Sequence, residues 1–81
     1  MEAGMKIEVD GEERILKSLY DALYPETTNP PSPECRSDIR LEEKLVVEVY
    51  CSRINLLRAV ANSYLSIISM IIKSLEVQEN G

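Results

Sequence analysis

The chain contains no histidine, tryptophan or phenylalanine, and it has two cysteines and three glycines. Without histidine, and with so few cysteines, it cannot build the usual four-ligand zinc sites or a Ser-His-Asp or Cys-His pair for nucleophilic catalysis. The glycines at positions 4, 11 and 81 form no glycine-rich phosphate-binding loop. We therefore expect no catalytic residue, no cofactor and no metal site, in a protein that is not an enzyme.

The length and the net charge of the chain limit further the class of protein to which it can belong. The 81 residues make one small domain, which we place over the whole chain with its core at about residues 5–77. Fourteen acidic residues against nine basic ones give a formal net charge of −5. A nucleic-acid binder that works alone usually shows the opposite balance, because lysine and arginine neutralise phosphates.

The sequence also predicts in which cellular compartment the protein is found. The first five residues lack the basic segment and apolar run of a signal peptide. The long apolar stretch 54–77 is interrupted by Asn55, Arg58, Asn62 and Lys73. A charged side chain near the centre of a membrane helix costs about 2.5–3.5 kcal/mol. We therefore expect no membrane span, a cytoplasmic protein and reduced cysteines.

The first half of the chain predicts a strand followed by a helix. Residues 5–9 alternate apolar and charged side chains, as a half-buried strand does. Asp10, with an acidic residue three positions later, predicts a capping box at the start of the helix. The helix should end near Tyr24, because Pro25 disfavours helical backbone in the residue before it. Residues 27–33 are rich in proline and predict an extended connector. The predicted apolar face of the helix comprises Ile15, Leu16, Leu19, Tyr20 and Leu23.

The second half predicts two strands and a long helix. Residues 36–41 and 45–50 are the strands, joined through 42–44. Their predicted inner face comprises Ile39, Leu41, Leu45, Val47 and Val49. Ser52 should cap the last helix, which runs to about Val77. The fold class is therefore α+β, a two-layer β-α-β-β-α domain in which two helices pack on one face of a three-stranded antiparallel sheet.

The predicted strand pair brings the two cysteines together. If Leu41 faces Leu45 across the pair, then Cys35 faces Cys51 at its open end. Facing cysteines can form a disulfide where the geometry allows it. A reducing compartment favours free thiols instead, so the sequence leaves both states open.

The last helix has more apolar surface than a small sheet can cover. At 100° per residue its polar positions form a stripe roughly 80° wide, and its apolar positions fill an arc of about 240°. The stripe comprises Asn55, Arg58, Asn62, Ser66, Ser69, Lys73 and Glu76. Burying four excess apolar side chains against a partner would contribute about 6–12 kcal/mol, comparable with the rough 4–15 kcal/mol cost of association. We therefore predict a partner surface on this helix, with coverage by the first helix as the alternative.

Several short motifs are similar to those of a known family. They are Leu23-Tyr24-Pro25-Glu26, Arg36-Ser37, Leu57-Arg58-Ala59 and Asn62-Ser63-Tyr64-Leu65. Together they resemble the Pcc family, the small non-catalytic subunit of the KEOPS complex, which takes part in the threonylcarbamoyladenosine modification of tRNA. The resemblance extends over residues 5–75 and implies the element order described above.

The resemblance implies an assembly subunit without chemistry of its own. Members of this family form dimers, and their helices dock on the transferase subunit of the complex. It therefore implies a homodimer or a heterodimer with a paralogue, and contact with tRNA only through the complex. The predicted partner or dimer interface comprises Leu57, Arg58, Asn62, Tyr64, Leu65 and Ile68 on the last helix, with Tyr20 and Leu23 on the first. Two alternatives remain at this point: the paralogous partner subunit, and a small RNA-binding module that works alone.

Individual residues of that interface have two interpretations. Tyr64 is either a core residue or an aromatic anchor of an interface. Arg58 and Asn62 belong either to a solvated helix face or to a polar seam between helices. Sequence periodicity does not separate these interpretations, because it gives the direction of a side chain around its helix but not what covers that side.

Overall fold

The computed structural model describes residues 2–30 and 32–80, with side chains described up to residue 75. The elements are β1 (Ala3–Val9), α1 (Glu13–Thr28), β2 (Cys35–Leu41), β3 (Leu45–Cys51) and α2 (Ile54–Asn80). Both helices lie on one face of an antiparallel sheet, which confirms the predicted α+β fold and its β-α-β-β-α order. Pro31 of the predicted connector lies outside the described residues, as do the side chains of Glu76 and Val77.

The sheet has β3 at its centre, with strand order β1-β3-β2. Leu41 faces Leu45 and Cys35 faces Cys51, as the predicted pairing requires. The turn between these strands is closed by a 3.1 Å hydrogen bond from the Glu42 N–H to the Lys44 carbonyl. Alternate side chains of β3 point towards the helices and are buried, because strand residues alternate between the two faces of a sheet. These are Leu45, Val47, Val49 and Cys51.

The start of α1 differs from the prediction. Asp10 does not cap the helix, because its carboxylate accepts a 2.9 Å hydrogen bond from the adjacent Gly11 N–H. The helix begins at Glu13, and Glu12 precedes it with extended backbone and no side-chain cap. The capping-box prediction was therefore wrong, and the residue at the cap position lies two residues later, because a short acidic side chain can satisfy a local turn as well as a helix end.

The end of α1 also differs, because the helix continues through Pro25 to Thr28. A proline inside a helix removes one backbone hydrogen bond and costs about 3 kcal/mol. The Thr27 and Thr28 hydroxyls donate to the Tyr24 carbonyl at 2.9 and 3.1 Å. Thr27 is buried, so the extra turn also packs against the rest of the domain. Residues 27 and 28 are therefore helical rather than part of an extended connector.

Helix α2 is separated from β3 by two residues and extends beyond the sheet. Ser52 does not cap it, since the Ser52 hydroxyl donates to a Glu34 carboxylate oxygen at 2.8 Å. The 27 residues of α2 span about 40 Å, whereas the seven-residue strands span about 23 Å. The longest dimension of the molecule is 46 Å. The carboxyl-terminal part of α2 therefore projects past the end of the strands.

The core lies between the sheet and the two helices. Helix α1 contributes Leu16, Leu19 and Leu23, and α2 contributes Leu57, Val60, Ala61, Tyr64 and Ile68. By length and composition, residues 54–75 of α2 could cross a membrane. Within this segment, Leu57, Val60, Ala61, Tyr64 and Ile68 are buried in the protomer.

Candidate functional site

The predicted interface residues fall into two groups in the folded chain. The first group is buried within the protomer and comprises Leu23, Leu57, Tyr64 and Ile68. Arg58, Asn62 and Leu65 are exposed, and Tyr20 is half-buried beside the core. A partner can touch the exposed residues directly, but it would have to open the protomer to reach the first group.

Tyr64 joins three elements from inside the core. Its side chain is 1% exposed, and its hydroxyl lies 2.9 Å from the Ser37 hydroxyl on β2. The same hydroxyl donates to the Glu26 carbonyl in the last turn of α1 at 3.2 Å. The structure therefore favours the core interpretation of Tyr64, because both ring and hydroxyl have partners in the same chain.

The exposed side of α2 carries a shallow depression, which we call the α2 face. It is lined by Asn62, Leu65, Ser66, Ser69, Met70 and Lys73. All six described polar positions of the predicted stripe are exposed, namely Asn55, Arg58, Asn62, Ser66, Ser69 and Lys73. Leu65 and Met70 flank the stripe and are 45% and 65% exposed. The α2 face is therefore a small polar strip between apolar side chains.

Met70 is the residue of this surface that the sequence pattern did not single out. By helical spacing it lies on the same side of α2 as Leu56, Val60 and Ile67. In the structure Val60 is buried, Leu56 and Ile67 are half-buried, and Met70 is exposed. The length of the helix could have indicated that Met70 is exposed, because a 27-residue helix is longer than strands of seven residues and extends past their ends.

The α2 face has a charge opposite to that of the chain. Of the six residues that define it, Lys73 is basic and none is acidic, and Arg58 belongs to the same polar stripe, whereas the whole chain has a formal charge of −5. Both basic side chains are exposed. Charge complementarity across an interface orients partners and speeds encounter. The α2 face is therefore suited to a partner surface that combines apolar side chains with carboxylates.

The outer face of the sheet has a different character, because its basic side chains are paired. Arg36 forms a two-point contact with Glu2 at 2.9 and 3.0 Å. Arg40 bridges Asp38 and Glu48, each at 3.2 Å. The hydrogen bond and the charge of Glu48 raise the pKa of Arg40, so this guanidinium stays charged.

These ion pairs argue against a free basic patch on the sheet. Arg40 and Glu48 pair across β2 and β3. On and beside β1, Lys6 and Lys44 both approach a carboxylate oxygen of Glu8, at 3.3 and 3.9 Å. Within the described part of the chain, no group of three or more His, Cys, Asp or Glu residues could hold a metal ion.

Residues 6–76 match the protein family described as "Transcription factor Pcc1". The match covers most of the chain, from β1 into α2. The chain belongs to the Pcc1 family. This is a family of KEOPS subunits, so the resemblance noted in the sequence motifs is confirmed at the level of the family.

A chain of a solved structure has the same fold. One chain of the crystal structure of a binary complex of Gon7 with Pcc1 superposes with a TM-score of 0.78 at 19% identity. The alignment covers 94% of the present chain and 95% of the other. No curated protein sequence matches the chain. At this identity the superposition establishes the fold, and the family match establishes membership.

Proposed function

We propose that this Pcc1-family chain is a non-catalytic assembly subunit that uses the α2 face to bind a partner within KEOPS. The partners are a second Pcc-type subunit, identical or paralogous, and the transferase subunit. The complex thereby supports threonylcarbamoyladenosine modification of tRNA in the cytoplasm. The observation that carries the proposal is the α2 face, an exposed apolar and basic surface on a helix whose opposite side is occupied by its own core.

The exposed apolar surface sets a lower limit on the size of the interface. On α2, Ile54, Leu65 and Met70 are 53%, 45% and 65% exposed. Their exposed parts correspond to between one and two full side chains, so burying them contributes about 2–5 kcal/mol. That is less than the 6–12 kcal/mol expected for four uncovered side chains, because the core covers part of the arc. Association costs roughly 4–15 kcal/mol, so a stable interface must extend beyond these three residues.

Helix α1 carries a further exposed aromatic side chain, which lies beside β2. Tyr24 is 48% exposed, and its ring lies 5.7 Å from that of the half-buried Tyr20. Exposed tyrosines are frequent anchors of protein interfaces, because they bring a large contact area at low entropic cost. These tyrosines and the half-buried α2 residues Leu56, Ile67, Ile71 and Ile72 raise the apolar area available to a partner.

A stand-alone RNA-binding role is the less supported alternative. The net charge is −5, and the arginines of β2 are engaged with carboxylates of the same chain. RNA phosphates would have to displace those carboxylates at an added electrostatic cost. A binding assay in which affinity falls steeply with salt would favour this alternative.

The first experiment measures the solution mass of the purified chain by light scattering across a dilution series. A mass near twice that of the 9.2 kDa chain is the result expected of a homodimer. A monomer that gains mass only with a paralogue would assign it to the heterodimeric arrangement. Transferase subunit is then added, and co-elution is measured. A chain that stays monomeric with all of these subunits would overturn the proposal.

A pair of variants on α2 tests the surface itself. Leu65→Asp puts a charge into the α2 face and should weaken association at least tenfold. Ser63→Asp adds the same charge to an exposed position on the same helix that does not line the depression, and should behave like the wild type. Equal association of both variants and the wild type would exclude the α2 face. Ile68→Asp cannot serve here, because Ile68 is buried and its loss would unfold the protomer.

A further inference from the structure

The open end of the strand pair brings both helices and both cysteines to one place. Cys35 and Cys51 face each other across β2 and β3, with Cα atoms 4.1 Å apart, and are joined as a disulfide, so the expectation of reduced cysteines was wrong for this structure. Cys51 also faces Ala3 on β1, so these three residues form the last rung of the sheet. Helix α2 begins three residues after Cys51, and the chain arrives from α1 just before Cys35.

The residues next to the two cysteines form a second set of links. The Ser52 N–H donates to the Glu34 carbonyl at 3.1 Å, and the Ser52 hydroxyl donates to the Glu34 carboxylate at 2.8 Å. Arg53, directly before α2, reaches the same carboxylate at 3.1 Å. The Cys35 N–H donates to the Ser32 carbonyl, which closes the turn that enters β2. The links from Ser52 and Arg53 to Glu34 join the same two strand ends as the disulfide.

We propose that the Cys35–Cys51 bond is a redox-responsive clasp that holds the start of α2 and the turn before β2 to the end of the sheet. When the bond forms, each thiol gives up one proton and one electron. The two electrons reduce a small disulfide of the glutathione class, which leaves as two thiols. Reduction by a dithiol reverses the step. Disulfides in cytosolic proteins are commonly of this reversible kind.

The structure gives the two sulfur atoms unequal access. Cys51 is fully buried, whereas Cys35 is 6% exposed. Cys35 also lines a surface depression of about 470 Å³ between the end of α1 and β2, with Tyr24, Thr28 and Pro30 among its walls. Thiol–disulfide exchange requires access to the sulfur that is attacked. An incoming thiolate therefore attacks Cys35, and Cys51 is the leaving group.

The first test measures the oxidation state of the two cysteines in the wild-type chain. Protein treated with oxidised glutathione, then denatured and alkylated without reductant, should take up no label, and dithiol-treated protein should take up two. Two labels in the oxidised sample would overturn the clasp. A pair of variants tests which sulfur atom is accessible. The Cys51→Ser variant keeps the Cys35 thiol, and the Cys35→Ser variant keeps the Cys51 thiol. In the native state, the Cys35 thiol should react with a small thiol reagent at least tenfold faster than the Cys51 thiol. Equal rates would contradict the assigned point of attack.

The structural consequence is tested by hydrogen exchange of the wild type in both states. Reduction should speed exchange at the N–H groups of Cys35, Ser52 and Leu57, which lie at the clasp or in the first turn of α2. The Glu42 N–H, at the closed end of the same strand pair, should be unaffected and serves as the internal control. Unchanged exchange at all four positions would refute the clasp.

The thermal stability of the protein gives an independent measure of the effect of the disulfide. A bond that closes a loop of this size, with a sequence separation of 16, should lower Tm by about 12–24 °C when it is reduced. The Cys35→Val/Cys51→Val variant keeps apolar side chains at both positions, and its Tm should not respond to dithiol. A wild-type Tm that is equally insensitive would overturn the proposal. All of these measurements use the chain alone, so they stand apart from the test of partner binding.

Discussion

The hydroxyl of Tyr64 offers the sharpest test of how this small core is held together. Tyr64→Phe keeps the buried ring and removes only the oxygen that contacts Ser37 and the Glu26 carbonyl. A buried polar group left without a partner costs about 1–3 kcal/mol. Glu26 is exposed, so water can reach its carbonyl more easily than it can reach Ser37. We therefore expect a loss of about 1–2 kcal/mol in the free energy of unfolding.

The assay is urea unfolding followed by circular dichroism, with thermal unfolding as a check. For a domain of this size each kcal/mol lowers Tm by roughly 4–8 °C. Tyr24→Phe is the matched control, because it makes the same chemical change on a ring that is 48% exposed. Surface changes of this kind usually stay within about 0.5 kcal/mol.

A double-mutant cycle separates the hydrogen bond from other effects of the substitution. Ser37→Ala should destabilise the wild type but have less effect in the Tyr64→Phe background, with a coupling energy of about 0.5–1.5 kcal/mol. Additive effects would show that the two hydroxyls do not stabilise one another. If Tyr64→Phe and Tyr24→Phe prove equally harmless, the reasoning about the core is refuted.

Two further predictions concern the sheet and its open end. Gly4→Val should cost about 1–3 kcal/mol in urea unfolding, because a Cβ at Gly4 would lie 2.7 Å from the Tyr50 ring. Gly11→Ala, with nothing within 4 Å, should be neutral or stabilising by up to about 1 kcal/mol, and equal losses would contradict the steric argument. The pKa of Glu34 is lowered by the hydrogen bond from Ser52 and by a neighbouring arginine, so its contribution to stability is present above its ordinary pKa of 4.5 and lost as pH falls through the lowered folded value. Glu34→Gln should therefore flatten the acid side of a Tm-against-pH curve, and an unchanged slope would count against this pairing.

Strand pairing was the most predictable part of the fold. Residues 42–44 lack the glycine or asparagine that identifies a turn type, so the prediction of the register was conditional: if Leu41 faces Leu45, Cys35 faces Cys51, and the structure has both pairs. A shift of one residue would have turned the apolar side chains of β3 away from the core. The polar stripe of α2 was equally predictable, since helical geometry places residues three and four apart on one side.

Helix ends were less predictable, because they depend on contacts with distant residues. The local effect of Pro25 favours an end at Tyr24, yet α1 continues for four more residues. The added turn is held by the Thr27 hydroxyl and by Tyr64, which lies 38 residues beyond Glu26. At the start of α2, Ser52 bonds to Glu34 across the strand pair instead of capping its own helix.

For the candidate site, the sequence by itself determined which residues α2 presents on each side, and the family to which the chain belongs. Tertiary structure decided which of them are available to a partner. Tyr64 and Ile68 are covered by the sheet and by α1, whereas Leu65 and Met70 remain exposed. The physical reason is that periodicity gives the direction of a side chain around its helix, while burial depends on how far the neighbouring elements extend.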